Sequence, residues 1–155
     1  SYFSSAVAPV QRFRKQDIHV GLGTDISGGY SPSMYENIRQ AVLVSRLLET
    51  GVKAMLPPDE RGGLGEGTRV SIVESFWLAT TGGAEALGLP VGTFEPGRAF
   101  DMQVVDTKRP DCDLTGFGVF DDPIDRLARI LYLSTPDNVR KVYAQGCLVC
   151  DKDAR

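Results

Sequence analysis

The chain has 155 residues, 17 Lys and Arg against 20 Asp and Glu, a formal net charge of −3, and 42% hydrophobic against 24% charged residues. That balance excludes a disordered or fibrous chain, and its mild acidity argues against nucleic acid or an anionic membrane as partner. Three cysteines argue against a disulfide framework and for a reducing compartment, while the single histidine, His19, excludes any mechanism that needs two from this chain. No apolar run approaches a membrane span, and the N-terminus lacks the layout of a signal peptide. The chain opens on Ser1 rather than Met, which raises the expectation that it is a piece of something larger.

Residues 1–16 read as a loop and a short helix carrying Val7, Val10 and Phe13, with Arg12, Arg14 and Lys15 as a solvated face rather than an anion site. Ile18, Val20 and Leu22 alternate as in a strand over 18–25, which runs into the loop Ile26-Ser27-Gly28-Gly29-Tyr30. A helix follows. Ser33 with Glu36 fits a capping box, Pro32 suits the first turn, and Met34, Ile38, Ala41, Val42, Ser45 and Leu48 recur at helical spacing until Gly51. The Gly- and Pro-rich stretch 57–67 predicts a mobile loop without regular structure. Residues 68–87 predict a second helix that buries Ile72, Phe76, Ala79 and Leu87 and is interrupted at Gly82-Gly83. Glu95-Pro96-Gly97-Arg98 is a turn signal, 100–107 is strand-like, and 110–121 is loop. Asp122-Pro123 opens a helix over 122–133, Asp137-Asn138 turns, and strands over 139–143 and 147–149 meet around Gly146. The order of elements is α/β: a strand–helix unit that ends a parallel barrel or sheet, then a minor β element.

Asp25 is the sharpest candidate. It stands at the C-terminal end of a predicted parallel strand, before a glycine loop and a helix, where active sites of parallel α/β folds lie. Gly21 and Gly23 leave room for a ligand, and Gly28 and Gly29 allow close backbone approach. The plainer reading is a helix cap or turn former. His19 stands six strand residues away, roughly 20 Å at the strand rise, so the two share neither a metal nor a proton, and His19 reads as structural or surface. Cys147 and Cys150 have CxxC spacing, but positions i and i+3 of a strand face opposite sides, so the thiols should diverge with at least one buried as a small apolar group. Cys112 stands alone in a loop. Neither glycine loop fits a phosphate cradle, Trp77 beside Phe76 reads as core, and no serine has a histidine near enough for a triad.

Gly21-Leu22-Gly23-Thr24-Asp25 followed by Ser27-Gly28-Gly29-Tyr30-Ser31 resembles the last-strand motif of guanine deaminases in the amidohydrolase superfamily. The trailing Gly-Gly-Tyr-Ser narrows the superfamily to that family. Residues 79–89 look like the helix after the barrel, 92–101 like the return into a small β-sandwich, and 139–146 like the closing strands. The resemblance implies residues 1–88 as the C-terminal part of a (β/α)8 TIM-type barrel. It implies 89–155 as β-sandwich strands, with helix 122–133 packing back on the barrel. It further implies a cytoplasmic, homodimeric zinc enzyme of purine catabolism that hydrolyses guanine to xanthine and ammonia. Asp25 matches the family aspartate that binds zinc, contacts substrate and shuttles a proton from water to the leaving amine, since a carboxylate can do all three.

The zinc histidines and the glutamate proton shuttle of the family have no counterpart here, because His19 is misplaced. The expectation is therefore a C-terminal portion of such an enzyme, inactive alone, with the remaining zinc ligands upstream of Ser1. Two other readings stay open: an aminohydrolase of the same superfamily acting on a different heterocycle, and a non-catalytic interaction module.

Overall fold

Two units make up the chain, Ser1–Gly88 and Leu89–Arg155, and the computed structural model describes residues 6–116, 118 and 121–154. In the first unit, the short helix α1 (Val10–Lys15) ends at Gln16, and the chain turns so that the Ile18 N–H donates to the Phe13 carbonyl at 3.1 Å. The 18–25 segment, expected as a strand, pairs with no strand among the described residues. A strand exists by laddering to neighbours, and none lies beside this segment; instead the Leu22 N–H donates to the Leu78 carbonyl at 3.0 Å.

The next helix, α2 (Met34–Thr50), buries Ile38, Val42 and Ser45 at the spacing the sequence predicts. Its expected capping box is absent. Ser33 is the N-cap without a side-chain bond, Glu36 pairs with Arg39 at 3.0 Å, and the Asn37 amide donates to the Ser33 carbonyl at 2.8 Å. Gly51 stops the helix with φ +77°, its N–H donating to the Leu47 carbonyl.

The stretch 57–67 is more ordered than its composition predicts. Pro58–Glu60 forms a 3₁₀ turn, and Gly51 and Gly62 make an antiparallel bridge. The N–H groups of Leu64 and Gly65 donate to the Leu48 and Glu49 carbonyls at 2.8 and 3.1 Å. The last carbonyls of a helix need partners from outside it, and this loop supplies them.

The second predicted helix is two: α3 (Ile72–Ala79) and α4 (Thr81–Leu87), broken at Thr80 rather than at the glycines. Gly82 and Gly83 sit where the 18–25 segment crosses. A Cβ on Gly82 would lie 2.7 Å from the Trp77 ring, and one on Gly21 would lie 2.6 Å from the Gly83 Cα. The expected core phase also shifts: Ser75 and Leu78 are fully buried, Ile72, Phe76 and Ala79 are half-buried, and Leu87 is 73% exposed. Ser75 tolerates burial because its hydroxyl donates to the Ile38 carbonyl at 2.8 Å, which also joins α3 to α2.

The second unit holds one antiparallel sheet, order β1-β2-β3, of β1 (Met102–Val105), β2 (Val139–Ala144) and β3 (Cys147–Asp151). A sandwich needs a second sheet, and the described residues form only this one. Helix α5 (Pro123–Leu133) lies between β1 and β2 in sequence, capped by the Asp122 carboxylate on the Asp125 N–H at 2.7 Å. Leu114, Leu131 and Asn138 are buried. Asn138 accepts from the Thr135 N–H and donates to the Asp106 carbonyl. The Glu95–Arg98 turn forms as predicted, with Gly97 at φ +89°. Gln145 and Gly146, both at positive φ, close the hairpin between β2 and β3. Residues 117, 119 and 120 of the predicted loop 110–121 lie outside the described residues, as do 1–5 of the predicted N-terminal loop.

Candidate functional site

Asp25 sits at the turn out of the 18–25 segment, with φ +46°. Asp is among the residues that enter this left-handed region most readily, and Ser27 follows at φ +78°. The Asp25 carbonyl accepts the N–H groups of both Gly28, at 2.8 Å, and Gly29. This winds the loop tightly around the aspartate. Space for that winding comes from Gly29, where a Cβ would lie 1.8 Å from the Thr24 carbonyl oxygen; a Cβ on Gly28 would meet the side chain instead, 2.8 Å from Asp25 Oδ2.

The carbonyl of Asp25 is therefore doubly engaged. The residue is exposed, and among the described residues its carboxylate makes no hydrogen bond or ion pair. It caps no helix, as Asp122 does, but it is a turn former, the other half of the plainer reading, since its carbonyl closes the turn onto Gly28 and Gly29.

One carboxylate does not make a zinc site. Zinc takes three or four protein donors, and among the described residues no three His, Cys, Asp or Glu side chains converge. His19 is exposed on the same segment. A cleft of about 270 Å³ opens beside Leu22 and Gly23, lined also by Val7, Asn37, Gln40 and Val44, but Asp25 is not in its wall. Its lining is mostly apolar and offers no titratable group.

The cysteine pair departs from expectation. Cys147 is exposed and Cys150 half-buried, so neither is a core residue. Cys147 faces Ala144 and Cys150 faces Val142 across the ladder, with Val149 as the extra residue of a bulge. Ala144 and Val142 share a face of β2, so both thiols lie on one face of the sheet rather than diverging. Of the basic residues of α1, Arg12 and Lys15 are exposed as expected, and Arg14 departs from a simply solvated face. Arg14 donates to Glu74 at 2.8 Å and lies over the Trp77 ring at 5.0 Å, and Gln11 reaches the same carboxylate. Burial pushes Glu74 up, but hydrogen bonds from the Ser71 N–H, Gln11, the Ser71 hydroxyl and Arg14 outweigh it and lower Glu74 to about 2. The Ser71–Glu74 capping box that begins α3 was legible as Ser-x-x-Glu before an apolar run.

Residues 1–149 match the amidohydrolase family, and the chain belongs to it. Its relatives narrow the comparison. The guanine deaminase of Homo sapiens is 36% identical over 148 residues, which are 92% of this chain and 30% of the human protein. The crystal structure of guanine deaminase from C. acetobutylicum, with bound guanine in its active site, superposes with a TM-score of 0.71 at 29% identity, covering 94% of this chain and 30% of that one. An adenosine deaminase from Xanthomonas campestris with bound zinc shares the fold, at a TM-score of 0.65 and 20% identity over 96% of this chain and 29% of its own. The chain thus spans about 30% of the length of the relatives it matches.

Proposed function

We propose that this chain is the C-terminal portion of a zinc-dependent guanine deaminase, comprising the end of its barrel and the sheet that follows. The observation that carries the reading is Asp25. Its carboxylate makes no hydrogen bond or ion pair among the described residues and stands on a tightly wound glycine loop, within a chain 36% identical to human guanine deaminase along 92% of its length. The reading brings with it a sandwich completed by other residues, helix 122–133 packed on the barrel, a homodimer, and a cytoplasmic place in purine breakdown. Among the described residues no helix is long and apolar enough to cross a membrane.

The net reaction adds water across the amidine carbon of guanine. A C–O bond forms, the C–N bond to the exocyclic amine breaks, and xanthine and ammonia result. Zinc, when bound, supplies the positive charge that brings a water's pKa towards neutrality. Asp25 is the ligand this chain offers, and its carboxylate takes a proton from the water and returns it to the departing amine. Gly29 lets the backbone wind closely at Thr24 and Asp25, and the carboxylate lies against Gly28.

In the complete enzyme, Asp25→Ala should abolish guanine turnover while the unfolding midpoint stays within a few degrees of wild type. Near-normal guanine hydrolysis by that variant would contradict the assignment. Assaying wild type on guanine, adenine and a triazine separates a guanine deaminase from a sister aminohydrolase.

A further inference from the structure

We infer that Gly28 is a positioning residue for Asp25: its missing side chain is the space in which the Asp25 carboxylate lies. The inference rests on the reading of Asp25 as a zinc ligand and proton carrier. A Cβ on Gly28 would meet Asp25 Oδ2 at 2.8 Å, Cγ at 3.2 Å and Oδ1 at 3.3 Å, and these are its three nearest neighbours. All belong to one side chain. Gly28 is not at positive φ, so its backbone conformation is open to any L-residue, and the glycine is needed for space alone.

The neighbouring glycine has a different task. A Cβ on Gly29 would lie 1.8 Å from the Thr24 carbonyl oxygen and 3.0 Å from that of Asp25, both backbone atoms. Backbone cannot step aside without unwinding the loop, whereas a carboxylate at the end of a rotatable side chain can. An alanine at 28 therefore leaves the loop standing and displaces the carboxylate. Oδ2 must retreat from 2.8 Å to at least the 3.4 Å of ordinary contact. A shift of that order matters at a metal ligand, because reacting groups must sit within about 0.5 Å of their productive places.

The test uses the complete enzyme as Gly28→Ala, Asp25→Ala and the double variant, with guanine turnover, zinc retention against a chelator, and thermal unfolding as readouts. Gly28→Ala should fold, lose about a hundredfold in turnover and release zinc at a lower chelator concentration than wild type. Any loss of thermal stability from Gly28→Ala should disappear in the Asp25→Ala background, where the new Cβ has nothing to displace. Wild-type turnover and zinc retention in Gly28→Ala, with both lost in Asp25→Ala, would overturn the positioning role and leave the reading of Asp25 intact. Retention of both by Asp25→Ala would instead overturn that reading. If Gly28→Ala unfolds the enzyme equally in both backgrounds, the glycine serves the backbone and the inference fails.

Discussion

Two glycine-rich loops lie in the first unit, and they differ in what their glycines lie against. The loop at 57–67 closes on the end of α2. Its N–H groups satisfy the Leu48 and Glu49 carbonyls, Arg61 Nε donates to the Leu56 carbonyl, and Gly63 lies so close that a Cβ would come within 2.1 Å of the Glu49 carbonyl oxygen. The loop at 25–29 is wound as tightly, with a Cβ on Gly29 falling 1.8 Å from the Thr24 carbonyl oxygen, and the carboxylate at its start lies against Gly28. Close approach of backbone is common to a helix stop and to a site. What separates them is what the glycines lie against: a Cβ on Gly63 would meet backbone alone, whereas one on Gly28 would meet the Asp25 carboxylate.

The largest effects that could break this comparison are steric. Gly29→Ala and Gly63→Ala each set a Cβ against backbone and should each cost about 3 kcal/mol of stability. For the molecules that remain folded, Gly63→Ala should leave zinc retention unchanged. A loss of zinc in Gly63→Ala matching that of Asp25→Ala would mean that both loops serve one site.

A smaller effect tests how the 57–67 loop is anchored at its far end. The Ser45 hydroxyl donates to the Val42 carbonyl at 2.8 Å and accepts the Val70 N–H at 2.9 Å, and Val70 is 2% exposed. Ser45→Ala leaves that N–H buried without a partner and should cost about 2 kcal/mol in denaturant unfolding. An unchanged midpoint would mean that the loop and α2 are not coupled through Ser45.

The smallest effect is a pH dependence. Glu74 is lowered from 4.5 to about 2 in the folded protein, so its stabilising contribution is complete above its unfolded value and is lost as pH falls from about 4.5 towards 2. Compared with Glu74→Gln, the wild-type protein should have a higher unfolding midpoint at pH 6, with the difference shrinking below pH 4.5. A difference that stays constant down to pH 2.5 would detach Glu74 from the clamp made by Gln11, Arg14 and Ser71.

Local signals carried much of this fold. The Ile38, Val42 and Ser45 period marks the buried face of α2, and Asp122-Pro123, Gly97 and Gly146 mark a cap and two turns that form where expected. What the sequence concealed depends on distant neighbours. Alternation at Ile18, Val20 and Leu22 reads as a strand, but no strand stands beside it. Gly82-Gly83 reads as a helix breaker, but the glycines admit the crossing 18–25 segment, and the break falls at Thr80. Strand periodicity separates Cys147 from Cys150 until the bulge at Val149 adds a residue. Asp25 was legible as a candidate from its place before a glycine loop. That its carboxylate lies where Gly28 lacks a side chain required coordinates, since contacts three residues apart in a left-handed turn have no periodic signature.

In the proposed function a zinc ion of the complete enzyme takes the Asp25 carboxylate, which makes no hydrogen bond or ion pair among the described residues. Anomalous diffraction at the zinc edge from crystals of the complete enzyme tests this most directly. The account predicts a zinc peak about 2.0–2.2 Å from an Asp25 carboxylate oxygen. A zinc peak remote from Asp25, with its carboxylate paired to a protein donor instead, would contradict it.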